Sequence, residues 1–158
     1  MIRPEEANEF LDHQRIAVVG VSESADNFGK SVWREMLKRG YDAIPVNAGY
    51  DFIDGVPCYR SLNSVPGDVD GVIVMVHRDR AGDVVTQAVA RGIKRVWLFQ
   101  GIGGTGAVSD ESVALCRAKG VTVIAGACPM MFLQPMSPIH KLHRTIRRLN
   151  RSLAKASR

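Results

Sequence analysis

Cysteine is scarce in this chain: Cys58, Cys116 and Cys128 are the only three among 158 residues. They are too few and too scattered for a disulfide framework or a paired-cysteine metal knuckle, so free thiols in a reducing compartment are expected. Long apolar runs are missing too. No stretch approaches the roughly 18 residues that a membrane-spanning helix needs. The opening Met1-Ile2-Arg3-Pro4-Glu5-Glu6 lacks the charged-then-apolar order of a secretory signal, so a cytoplasmic location is expected. There is no GxSxG elbow, no P-loop and no pair of carboxylates at the strand ends, which argues against a hydrolase or a kinase. No internal repeat or low-complexity tract occurs.

Acidic residues are absent from one end. Residues 134–158 hold seven basic side chains (Lys141, Arg144, Arg147, Arg148, Arg151, Lys155, Arg158) and no Asp or Glu. The whole chain carries 21 basic and 16 acidic residues, net +5, so the remainder holds 14 and 16, a balance of −2. Ile139, Leu142, Ile146, Leu149 and Leu153 recur in this tail at spacings of 3, 4, 3 and 4. The pattern predicts a basic amphipathic C-terminal helix whose apolar stripe docks on its own domain or on a second copy, giving a homodimer. Contact with nucleic acid is the less favoured use of its charge. His140 and His143 stand at i and i+3, but no local carboxylate completes a site, and no metal is expected.

What the chain does have, across residues 1–133, is an alternation of strands and helices. Ile16–Val19, Tyr41–Asn47, Gly71–Val76, Arg95–Gln100 and Val121–Ala125 read as strands. Pro45 weakens the second as a central strand, since proline cannot donate to a ladder. Helices are predicted over Glu5–His13, after the loop that follows Gly20, over Arg80–Arg91 and over Ser109–Lys119. Phe10, Leu11, Val32, Met36, Leu37, Val84, Val85, Ala88 and Val89 are expected to face inward. Ala48–Asp70 is irregular, with one helical turn near Ser61–Val65. The prediction is a single doubly wound, mainly parallel five-stranded Rossmann-like α/β sheet.

In such sheets ligands bind at the carboxyl edge of the strands. The first β-to-α link is a small polar loop in which Ser22, Ser24, Asp26 and Asn27 are candidate helix caps and Lys30 follows in the first helical turn. Backbone N–H groups and hydroxyls there suit a phosphate-bearing ligand, with Lys30 as an added point charge. His77 and Arg78, ending the third strand, add cation and stacking faces. Gly101-Ile102-Gly103-Gly104-Thr105-Gly106 matches G-x-G-x-x-G but follows the fourth strand, not the first, and has no acidic residue about 20 positions on. NAD binding there is disfavoured. Cys128 beside Pro129 is either a thiol facing the cleft or a buried inert one.

Several stretches together resemble the CoA-binding domain family, the Rossmann-like module also found at the N-terminus of succinyl-CoA synthetase α subunits. They are Ile16-Ala17-Val18-Val19-Gly20-Val21-Ser22, Asn27-Phe28-Gly29-Lys30-Ser31, Ile44-Pro45-Val46-Asn47, Cys58-Tyr59-Arg60-Ser61-Leu62, Lys94-Arg95-Val96-Trp97 and Gly126-Ala127-Cys128. His140-Lys141-Leu142-His143-Arg144 also looks like a segment at the end of the small stand-alone members. The resemblance implies a coenzyme A or acyl-CoA site at the strand edge. It would set Gly20, Val21, Ser22 and Lys30 against phosphate or pantetheine, with Ser24 and Asn27 in the same loop. Pro45, Val46 and Asn47 would flank the adenosine, Val76, His77 and Arg78 the nucleotide, and Gln100, Gly101 and Ile102 the pantetheine path. Two departures stand out. Asn47-Ala48-Gly49 replaces an Asn-Pro found in many relatives, and the synthetases' second domain with its phosphorylated histidine has no counterpart here. Binding without catalysis, as sensor, carrier or regulatory protein, is therefore expected. The alternatives are an NAD-binding redox protein and a nucleic-acid-contacting interaction module.

Overall fold

The structure is a computed structural model and describes residues 2–104 and 106–133. The predicted tail helix, its dimer contact and the His140/His143 pair lie outside the described residues. Five strands, β1 (Arg15–Val19), β2 (Asp42–Val46), β5 (Gly71–Val74), β6 (Arg95–Phe99) and β7 (Thr122–Ala127), form one parallel sheet in the order β2-β1-β5-β6-β7. The helices are α1 (Pro4–Leu11), α2 (Phe28–Lys38), α3 (Arg78–Ala90) and α4 (Asp110–Ala118). A two-stranded hairpin, β3 (Phe52–Ile53) and β4 (Val56–Pro57), and 3-10 turns at Leu62–Ser64 and Pro129–Met131 complete the described fold.

The continuous apolar runs of β1 and β5 reflect burial on both faces. Alternate β1 residues serve different cores: Ile16 and Val18 meet α1 and α2 through Phe10, Val32, Trp33 and Met36. Ala17 and Val19 lie on the other face with Val84, Val85 and Ala88 of α3 and Cys116 of α4. α1 is pinned by aromatic contacts. The Phe10 and Trp97 rings meet edge to face with centroids 5.4 Å apart, and Tyr41 donates its hydroxyl to the Leu11 carbonyl at 2.6 Å. Gly71 makes room for this arrangement, since a Cβ there would stand 3.0 Å from the Phe10 ring.

Caps set the helix starts. Asn27 accepts the Lys30 N–H at 2.7 Å to open α2, and Ser109 accepts the Ser112 N–H at 3.1 Å to open α4. Pro45 sits on β2, the edge of the sheet, and the outer side of that strand is closed by Tyr59, whose N–H donates to the Pro45 carbonyl at 3.1 Å.

Four expectations are corrected. Leu37 is exposed; Trp33 takes the inward place, with its indole N–H on the Ala43 carbonyl at 3.0 Å. The third strand of the parallel sheet stops at Val74, two residues early. α3 starts at Arg78, not Arg80, because His77 is its N-cap. The last strand runs on to Ala127 through a register shift opposite Leu98/Phe99, where Gly126 takes a φ of +95°. The β3/β4 hairpin was hidden by its two-residue strands, which carry no readable period.

Candidate functional site

Strand order reverses between β1 and β5, since β1 leads back to β2 on one side and the chain resumes at β5 on the other. At the carboxyl edge of that switch point lies a crevice of about 410 Å³. Gly20 forms its floor. With a φ of +106° it takes a conformation side chains avoid, and a Cβ would stand 2.7 Å from the Met75 carbonyl oxygen. Gly29, at the start of α2, is packed equally close, since a Cβ there would come within 2.7 Å of the Gly20 carbonyl oxygen. The β1 turn is thus seated directly on the N-terminus of α2, where unpaired backbone N–H groups and the helix dipole favour an anion.

Two asparagines hold this turn. Asn27 accepts the Ser22 N–H at 3.2 Å and donates to the Gly20 carbonyl at 3.2 Å, besides capping α2. Asn47, at the end of β2, donates to the Val21 carbonyl at 2.8 Å and accepts the Gly49 N–H at 2.9 Å. The second contact forms a side-chain turn that needs no proline after Asn47.

The crevice gathers six of the fifteen residues that sequence reasoning placed in the site: Gly20, Asn27, Val46, Asn47, Val76 and His77. The other nine lie elsewhere. Val21 is fully buried in the core, Pro45 is buried within β2, and Ser22 and Ser24 sit in the loop outside the lining. Arg78 faces a separate depression of about 590 Å³ between the first turns of α3 and α4, with Asp79, Gly82 and Ser109. Gln100, Gly101 and Ile102 lie beyond the end of β6. There Gln100 donates to the Gly104 carbonyl at 3.4 Å, Gly101 rests on the Phe99 ring, and the Ile102 side chain is fully exposed. Gly106, last of the G-x-G-x-x-G run, packs against the backbone of Phe99 and Gln100 and accepts the Arg78 N–H at 2.9 Å, so that glycine closes a turn.

Lys30 departs most from expectation. It is 6% exposed, and its ammonium donates to the Glu23 carbonyl at 3.1 Å, to Glu23 Oε2 at 2.9 Å and to Asp54 Oδ1 at 3.1 Å. All three donors are spent inside the protein, so this lysine does not extend a charge to a ligand. The Glu23 hydrogen bond raises its pKa above the ordinary lysine value and lowers that of Glu23. Asp54, bonded to Arg34 Nε at 2.7 Å, is held below the usual carboxylate range first by that arginine and also by Lys30. Asp54 adopts a φ of +49° and donates its N–H to Glu23 at 2.9 Å. The cluster therefore ties the β1 loop to the hairpin.

Sequence reasoning missed most of the remaining lining: Ala48, Arg60, Ser61 and Leu62 on one side, Met75, Arg80, Asp83, Val84 and Gln87 on the other. A readable signal existed for Arg80, which stands three residues after His77 and so shares its helical face. Arg60 and Ser61 lay in a stretch quoted for its family resemblance but not placed in the site. His77 serves as the α3 cap, its Nδ1 accepting the Asp79 N–H at 3.3 Å. Cys58 and Cys116 are poor candidates for chemistry. Burial raises the pKa of Cys58 and pushes Cys116 to about 11. Among the described residues no three His, Cys, Asp or Glu side chains are grouped to hold a metal ion, and no helix is long and apolar enough to cross a membrane.

A parallel sheet wound on both faces, with a glycine turn and a helix N-terminus at its switch point, defines a Rossmann-like α/β domain. The chain belongs to the CoA binding domain family, whose model matches residues 14–134. It is 32% identical over 124 residues to the uncharacterized protein YneT of Bacillus subtilis, covering 78% of this chain and 88% of that one. It is 27% identical over 125 residues to the alpha subunit of an ADP-forming acetate–CoA ligase II from Pyrococcus furiosus, a match covering 75% of this chain and only 27% of the subunit. Among solved structures, a conserved hypothetical protein from Pyrococcus furiosus superposes with a TM-score of 0.70 at 34% identity, covering 77% of this chain and all of that one.

Proposed function

We propose that the chain binds coenzyme A or an acyl-CoA in the switch-point crevice and catalyses no reaction itself, serving as a sensor, carrier or regulatory protein. The observation that carries this reading is the open crevice at the carboxyl edge of β1 and β5, lined by Gly20, whose turn packs so closely on Met75 and on the first turn of α2 that no side chain fits there. The diphosphate fits against the backbone groups of that turn. Val46 and Asn47 flank the adenosine on one side, Val76 and His77 on the other, and the pantetheine arm leaves toward Gln100, Gly101 and Ile102. The family assignment supports the same ligand class. Burial raises the pKa of Cys58 and Cys116, which disfavours thiolate chemistry at either.

Calorimetry or a thermal-shift scan with CoA, acetyl-CoA, NAD and ATP tests the proposal. A ligand at a hundredfold excess over its dissociation constant stabilises the fold by about 2.7 kcal/mol. The expected result is a shift with CoA or acetyl-CoA that NAD does not match. A shift with NAD and none with either CoA compound would replace this reading with that of a nicotinamide-binding protein.

A further inference from the structure

Two guanidinium groups line the crevice, Arg60 from the segment after β4 and Arg80 from the first turn of α3. They are not equivalent. Arg60 donates to Asp51 Oδ1 at 2.9 Å and to the Ala48 carbonyl at 3.2 Å, so its charge is already matched. The side chain of Arg80 makes no hydrogen bond or ion pair among the described residues, and Asp83, one turn further along α3, is not paired with it. Arg80 is exposed at the crevice wall, with its guanidinium free of partners among the described residues and so open to an anionic group of a ligand. The anion it awaits is distinct from the diphosphate, which the CoA reading sets at the Gly20 turn between β1 and α2, whereas Arg80 stands on α3. Lys30, beside that turn, is fully committed to Glu23 and Asp54.

Resting on the CoA reading above, we infer that Arg80 recognises a second phosphate group, borne on the nucleoside end of the ligand away from the diphosphate. Arg80 is thereby the residue that selects a ribose-phosphorylated nucleotide over one with a bare ribose. Guanidinium and phosphate match in geometry as well as charge, through paired N–H donors to two oxygens. Asp83 accepts from a hydroxyl or amine and repels phosphate, which restricts the phosphate to the Arg80 side. Coenzyme A carries such a 3′-phosphate; 3′-dephospho-CoA, NAD and ATP do not.

The experiment is calorimetry on the full chain at fixed ionic strength, with CoA and 3′-dephospho-CoA, for the wild type and for R80Q, R80K, R60Q and the distant surface control R117Q. The wild type should bind CoA about tenfold more tightly than dephospho-CoA, the scale of one charge-assisted contact. R80Q should lose that factor for CoA alone, making the two ligands equal, while R80K keeps part of it and R117Q leaves both affinities unchanged. Equal binding of the two ligands by the wild type would overturn the inference, as would an equal loss for both in R80Q or a loss of discrimination only in R60Q. Failure of the wild type to bind either compound would instead sink the CoA reading itself.

Discussion

At the scale of single residues, two glycines carry the geometry of the candidate site. Gly20→Ala has to adopt a φ of +106° and bring a methyl to 2.7 Å from the Met75 carbonyl, so either the turn or the end of β5 moves. The expected cost is about 1–3 kcal/mol of stability, with CoA affinity falling further because the turn is displaced. Chemical denaturation beside calorimetry checks both, and an affinity unchanged from wild type would remove the turn from the site. Asn27→Ala should cost about 1 kcal/mol as a lost helix cap, and more if the Ser22 and Gly20 contacts relax with it. Lys30 gives a pH signature. The pKa values of Glu23 and Asp54 are lowered on folding, so their contribution is in place above the ordinary carboxylate range and is lost as pH falls through their depressed values. Lys30 is raised, so its share persists at all lower pH and disappears only in strong alkali. Thermal unfolding followed below about pH 4 should therefore show a loss of stability that is smaller in K30M, which is less stable than wild type at neutral pH.

At the scale of elements, the alternation of strands and helices was legible because parallel strands buried on both faces leave uninterrupted β-branched runs. Caps and closing glycines, such as Asn27 and Gly40, then mark where each helix begins and ends. Six expected residues line the candidate crevice for the same reason: Gly20, Asn27, Val46, Asn47, Val76 and His77 all sit at strand ends or caps, which sequence pattern locates. What failed was the start of α3 and contacts at long range. With α3 starting at Arg78, both arginines stand on its first turn about 200° apart at 100° per residue, so Arg80 lines the crevice while Arg78 faces the depression beside α4. Lys30 was misread because its acceptor Asp54 comes from a hairpin 24 positions later. α1 supplies an element-level test. Phe10 is 1% exposed between Trp97 and Gly71, and Phe10→Ala should cost about 3–5 kcal/mol by urea denaturation. A cost below 1 kcal/mol would mean that α1 is not held through that ring.

At the scale of the whole molecule, the uneven charge and the apolar period of residues 134–158 call for a partner surface. Seven basic residues with no acid, interleaved with Ile139, Leu142, Ile146, Leu149 and Leu153, make a segment whose apolar stripe is costly to leave in water and whose charges repel one another unless something acidic lies close. The body, at −2, offers that complement in a second copy. We propose a homodimer formed through residues 134–158. Multi-angle light scattering should give twice the chain mass for the full protein and a single chain mass after truncation at residue 133. Calorimetry should return the same CoA affinity for both forms, since every described residue lining the crevice precedes residue 88. A monomer in both forms would refute the dimer. CoA affinity lost on truncation would place part of the binding surface in the tail, and binding to nucleic acid that weakens steeply with salt would give the tail a different partner.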